Sequence, residues 1–195
     1  MAADNFLWFP SPASGGLLTG KATQPEGEST DDWFSKKKAV ELASFGFGVA
    51  QADTSGSGTS GASAGKAKFE EFTVEKDVDQ ASAPLFQACT AGAHYPSIVL
   101  IVRKPGGQNL LYVQFIFRQV FVTGVNWSGG GGEENPKESI KFKFGAMGIQ
   151  YVQQLATGGE GTKMVGWWSA ITNQPTSDVV GLPSPPDFLN GAQSA

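Results

Sequence analysis

His94 and Cys89 are the only histidine and the only cysteine of this chain, and neither has the company that chemistry would require. A general base needs a nucleophile within reach and a third group to orient it. His94 precedes Tyr95-Pro96, Ser97 falls at the start of an expected strand, and no third group is evident. His94 therefore reads as a turn residue held by backbone hydrogen bonds. Cys89 lies among Leu85, Phe86 and Ala88, an apolar setting that keeps a thiol protonated and inert. One cysteine permits no internal disulfide, which fits folding in a reducing compartment.

Other polar groups are no better placed. One His, one Cys and scattered carboxylates do not make a zinc set. Glu70 and Glu71 are neighbours on an expected strand, so their side chains point to opposite faces. Glu133-Glu134 follows four glycines and reads as a solvated turn. Neither Gly-rich stretch runs into the Lys-Ser/Thr and helix that a phosphate-cradling loop requires. The expectation is no catalytic residue, no cofactor-binding residue and no metal ligand, hence no enzyme and no cofactor. Trp8, Trp33, Trp127, Trp167 and Trp168 are candidates for a sugar-stacking platform, weighed against core or interface packing. Lys36-Lys37-Lys38 reads as a solvated run at the start of a strand.

The elements that would position these groups are mostly strands. The chain has 195 residues, 40% of them hydrophobic, with 14 Phe, which is enough apolar matter for a sizeable core. Only 16% are charged and the net charge is -4, so no general attraction to nucleic acid or anionic membrane follows. Ile140, Phe142 and Phe144 alternate with Ser139, Lys141 and Lys143, a strand with one buried and one solvated face. From Leu110 to Val120 both faces carry apolar groups, so that strand sits under a helix or meets another subunit. Further strands are expected near 4–9, 39–50, 66–76, 97–103, 120–127, 147–154 and 163–172, a pattern of sandwich or barrel. One helix, about residues 83–91, is expected, with Ser82 as N-cap, Pro84 in the first turn and Gly92 as the left-handed stop.

Residues 10–30 and 53–65 read as long Gly/Ser-rich loops, and the tail with Pro183, Pro185 and Pro186 as an irregular extension. The start, Met1 to Pro10, lacks the basic residues and apolar run of a secretory signal. The longest aliphatic run, Ile98 to Val102, is too short to span a membrane as a helix.

The stretch Thr73-Val74-Glu75-Lys76-Asp77-Val78-Asp79-Gln80-Ala81-Ser82-Ala83-Pro84-Leu85 resembles the haemolysin-coregulated protein (Hcp) family of the bacterial type VI secretion system. The likeness continues through Ala88-Cys89, Gly92 to Pro96 and Arg103 to Gly107. It includes Gly27-Glu28-Ser29 and Phe45 to Gly48 upstream, and Gly129 to Glu134 and Trp168 to Asn173 downstream. Residues 10–26 resemble an insertion, so a single domain over 1–173 with an irregular Pro-rich tail over 174–195 is expected.

The resemblance implies a mainly β fold: a pseudo-β-barrel of two antiparallel sheets with one short flanking α-helix and long Gly/Ser-rich loops. It implies self-assembly into a homohexameric ring, with rings stacked into a tube that is expelled from the cell. Its implied partners are further copies of itself, a spike protein at the tube tip, a contractile sheath and small effectors held in the lumen. It implies residence in the cytoplasm before assembly and secretion without a signal peptide, with no nucleic acid and no membrane insertion. It also implies that the Asp53–Gly65 loop reaches towards neighbouring rings. Lys141, Lys143, Glu71 and Thr73 are candidates for the face that lines the channel. A β-sandwich carbohydrate-binding module using exposed tryptophans is the competing expectation. A diverged hydrolase is a third, which a lone histidine makes poor.

Overall fold

The computed structural model describes residues 4–51, 66–104, 111–131, 135–157 and 159–190. The Asp53–Gly65 loop and Glu133-Glu134 lie outside the described residues. Among the described residues eleven strands and one helix follow in order: β1 (Asp4–Trp8), β2 (Val40–Leu42), β3 (Ser44–Gly46), β4 (Val49–Gln51), β5 (Ala67–Phe69), β6 (Phe72–Asp77), α1 (Ser82–Ala91), β7 (His94–Arg103), β8 (Leu111–Ser128), β9 (Lys137–Lys143), β10 (Ala146–Gln154) and β11 (Glu160–Ser169). The fold is mainly β with one helix and two antiparallel sheets. The larger sheet has nine strands, ordered β2-β1-β7-β8-β9-β6-β3, with β10 added to β8 and β11 to β10. β4 and β5 form a separate two-stranded ribbon.

β8 makes the large sheet bend. Its first part pairs with β10 up to Arg118, and its second part pairs with β9 from Phe121 onward. Between them Gln119 has a φ of 50°, a left-handed conformation uncommon outside glycine. The register with β7 pairs Tyr95 with Val120 and Ser97 with Arg118, so Gln119 faces Pro96. Proline has no N–H to give to a ladder, and the corner falls where the partner strand cannot donate. Phe117 and Val120, three apart, consequently enter the same core. Residues 40–46 then hand the chain from one side to the other, β2 pairing with β1 and β3 with β6. No continuous ladder closes the barrel there.

Two cores result. The main core gathers Leu7, Val40, Phe72, Val74, Leu85, Ile98, Leu100, Phe117, Ile140 and Phe142 inside the bend. Phe72 stacks on Phe117 at 4.4 Å, and Phe47 meets both rings edge-on. Phe6, Phe34, Val99, Ile101, Leu111 and Ile116 form a second core on the opposite side of the same sheet. The aliphatic run of β7 thus divides its residues alternately between two buried faces, as a strand covered on both sides must.

Local expectations meet three corrections. Ser82 is the first residue of α1 and not its N-cap; Ala81 holds that position with no side-chain bond. Asp79 Oδ1 instead accepts from the Ala81 N–H at 2.9 Å, turning the chain into the helix. Glu70 and Glu71 link β5 to β6 and break the expected 66–76 strand. His94 opens β7, its backbone bonded both ways to Ser14 at 3.0 Å, so it lies in a strand and not a turn. Gly92 ends α1 at φ 64° as expected. Residues 13–22 form a small hairpin bonded to α1 and His94, with Ala13 and Ala22 buried in the main core.

Candidate assembly surface

The residues singled out for chemistry are dispersed. His94 packs its ring on Phe121 at 5.4 Å, and Cys89 is partly buried against the main core. Two adjoining open clefts of about 320 and 420 Å³ share Glu41, Leu42 and Ala43 and hold several carboxylates. Those carboxylates are already engaged. Arg103 bridges Asp4 at 2.8 Å and Asp31 at 2.5 Å, Lys137 holds Asp77, and Ser29 donates to Glu41. Burial alone would raise the Asp31 carboxyl, but the Phe34 N–H, Arg103 and the Trp33 N–H hold it below its usual range. Among the described residues no group of three His, Cys, Asp or Glu is placed to hold a metal.

The tryptophans form no common platform. Lys37 lies over Trp8 at 4.4 Å and over Trp33 at 5.3 Å. Trp167 packs on Phe188, and Trp127 lies apart, donating to Glu138 at 3.0 Å. Lys38 pairs with Glu26, so the basic run divides between an ion pair and an aromatic cover.

Two clusters of buried charge lie on the sheet. Lys76 Nζ has four oxygens within 3.0 Å: Asp77 O, Asp79 Oδ1, Ser82 Oγ and Glu138 Oε2. Ser82 Oγ also donates to Glu138 at 2.6 Å, which explains why it is not free to cap the helix. This network pins the start of α1 to β6 and β9. Burial pushes the Asp79 carboxyl up against the pull of Lys76. Arg118, equally buried, donates from Nη2 to the Pro183 carbonyl, while its Nε and Nη1 have no partner. Burial lowers its guanidinium from the ordinary value, with Asp178 opposing through charge.

The two faces of β8, β10 and β11 differ. Register places Val113, Tyr151 and Met164 in one row, Phe115, Ile149 and Gly166 in the next, and Phe117, Met147 and Trp168 in a third. The third row joins the main core through Phe117. Moving away from it, Ile149 and Tyr151 are over one-third exposed and Met164 is 64% exposed. The apolar face therefore runs continuously out of the core into solvent. β11 is the end of the pairing path, so its outer edge has no strand partner among the described residues.

The opposite face, with Gln114, Ile116, Arg118 and Trp167, is covered by the chain itself. Gln114 accepts from the Leu189 N–H at 2.8 Å and donates to the Leu189 carbonyl at 2.7 Å. Trp167 lies directly over Gly148, where any Cβ would stand 2.6 Å from the indole. Lys141, Lys143, Glu71 and Thr73 share one solvent-facing side of the sheet: Thr73 pairs with Lys141, and Thr123 donates to Glu71. Sequence reasoning missed Gln114 and Arg118; two long polar side chains inside an otherwise apolar strand were the available signal.

Comparison with known proteins gives a consistent result. The family model described as "Type VI secretion system effector, Hcp" matches residues 18–151. "Protein hcp1" of Pseudomonas aeruginosa is 31% identical over 105 residues, covering 52% of this chain and 65% of that protein, less than two thirds of its length. A solved structure described as a type six secretion system protein superposes with a TM-score of 0.75 at 31% identity, covering 90% of this chain and all of that one. The crystal structure of Hcp1 from Salmonella typhimurium gives 0.67 at 26% identity, with the same coverage.

Proposed function

The chain belongs to the Hcp family of type VI secretion system proteins, and from that premise we propose that it is a tube subunit that closes into six-membered rings. The observation that carries this reading is the apolar face of β8, β10 and β11, which leaves the main core and ends uncovered beside an unpaired strand edge. A monomer seldom leaves such a surface and such an edge bare. A second copy of the chain covers both, and head-to-tail repetition of one such contact closes a ring.

In this reading rings stack into a tube that is assembled in the cytoplasm and expelled from the cell. A spike protein caps the tube and a contractile sheath surrounds it. The Asp53–Gly65 loop acts between rings. The polar side carrying Lys141, Lys143, Glu71 and Thr73 lines the channel, where small effectors bind through scattered weak contacts. The protein's work is structural and not catalytic. No observation favours the carbohydrate module, because Lys37 and Phe188 cover three of the five tryptophans.

Electron micrographs of the purified protein test the proposal. Six-fold rings are expected, and a variant with the Asp53–Gly65 loop shortened should still form them while stacking poorly. Single subunits in every field would contradict the reading.

A further inference from the structure

The sheet face under residues 183–190 has the parts of a peptide site. Gln114 forms a two-bond clamp on the backbone of Leu189 alone. Such a clamp reads the N–H and C=O that any extended residue other than proline offers, so it depends little on sequence. Trp167 supplies an apolar wall for Phe188 at 5.6 Å, and Lys163 donates to Asn190 at 3.1 Å.

The present occupant fits this face imperfectly. Arg118 carries five N–H donors in a planar fork suited to a carboxylate. It is 1% exposed, yet the tail gives it one hydrogen-bonding carbonyl and otherwise only the through-space charge of Asp178, and Nε and Nη1 stay without a hydrogen-bond partner. A buried donor without a partner is costly, so the site is better matched to an anionic group than to Pro183. The tail is not laced into the sheet. Residues 175–190 contain no strand, Gly181 turns the chain at φ 82°, and Val180 is 98% exposed.

We propose that this face is a docking groove for an extended acidic peptide segment of another protein, and that residues 183–190 fill it in cis until such a segment displaces them. The occupant carries a carboxylate where Pro183 and Ser184 now lie and an apolar residue where Phe188 lies. A second copy of this chain is not that occupant, because its tail would bring the same single carbonyl to Arg118. The proposal stands independently of ring formation.

The test uses the full chain and two fluorescent synthetic peptides spanning Asp178–Asn190, one unchanged and one with Ser184→Asp. Fluorescence anisotropy should show saturable binding of the acidic peptide, at least about tenfold tighter than the unchanged one. Chymotryptic cleavage of the chain's own tail at Phe188 should quicken as that peptide saturates. In the Arg118→Met chain the two peptides should bind alike. Equal affinities on the wild-type chain, no binding of either peptide, or a cleavage rate indifferent to peptide would each overturn the proposal. Should Arg118→Met fail to fold, the paired peptides on the wild-type chain decide alone.

Discussion

Lys76 and Arg118 are both buried cations on the same sheet, and the chain treats them differently. Lys76 has four oxygens around one ammonium, three of them on residues within six positions of it. Arg118 hydrogen-bonds one carbonyl, 65 residues away, for a guanidinium with three nitrogens, and Asp178 reaches it only through charge. A buried charge is tolerated when its partners are complete and becomes a liability when they are not. The first site is therefore a structural rivet. The second is a place where the fold stays open to something else.

The largest effect expected to sharpen this contrast is on the Lys76 side. Lys76→Ala leaves Glu138 buried without its cation and should cost about 3–5 kcal/mol in urea unfolding. A loss under about 1 kcal/mol would erase the distinction between the two sites. Gln114→Ala comes next, because it removes both bonds to Leu189 and strands its backbone groups. It should cost about 1–3 kcal/mol and expose the tail to protease. Unchanged protection would mean that the tail is held by Phe188 and Leu189 alone.

Arg118→Met is the mirror of Lys76→Ala. It removes a charge that is already under-partnered, so stability should stay within about 1 kcal/mol of wild type, in either direction. A loss as large as that of Lys76→Ala would show that Arg118 is fully partnered and would break the comparison. The smallest effect belongs to the half-open pair of Asp31 and Arg103. The folded-state Asp31 carboxyl lies below the ordinary aspartate value. Its contribution is therefore complete above that value and lost as pH falls through the lowered one. Asp31→Asn should flatten the fall of melting temperature below about pH 4 while lowering stability slightly at neutral pH. An unchanged acid limb would remove Asp31 from the account.

What was legible in the sequence follows from how local each determinant is. The alternation around Ile140 and Phe142 marked β9 and its buried face, because period two is a property of the strand alone. Gly92 marked the end of α1 for the same reason. Ser82 misled as a cap because Glu138, 56 residues away, claims its hydroxyl. The corner at Gln119 depends on Pro96 in the partner strand, and only a register between the two could show it. Along β8 the need for a cover on both sides was legible, but not the membership of each face. Past the Gln119 corner Val120 joins Phe117 in the main core, and Leu111 joins Ile116 in the second. Gln114 and Arg118 make the second face partly polar. One cover, the tail, is recognised through its backbone at Leu189, which composition does not reveal.

The open face is the remaining half of that reading, and the mass of the particle in solution tests it most directly. Light scattering behind a sizing column should give about six times 20.5 kDa for the wild-type chain. Ile149→Lys, which places a charge on the uncovered apolar face, should lower that mass towards a single chain while leaving the fold intact. A wild-type mass of one chain at every concentration would contradict the account.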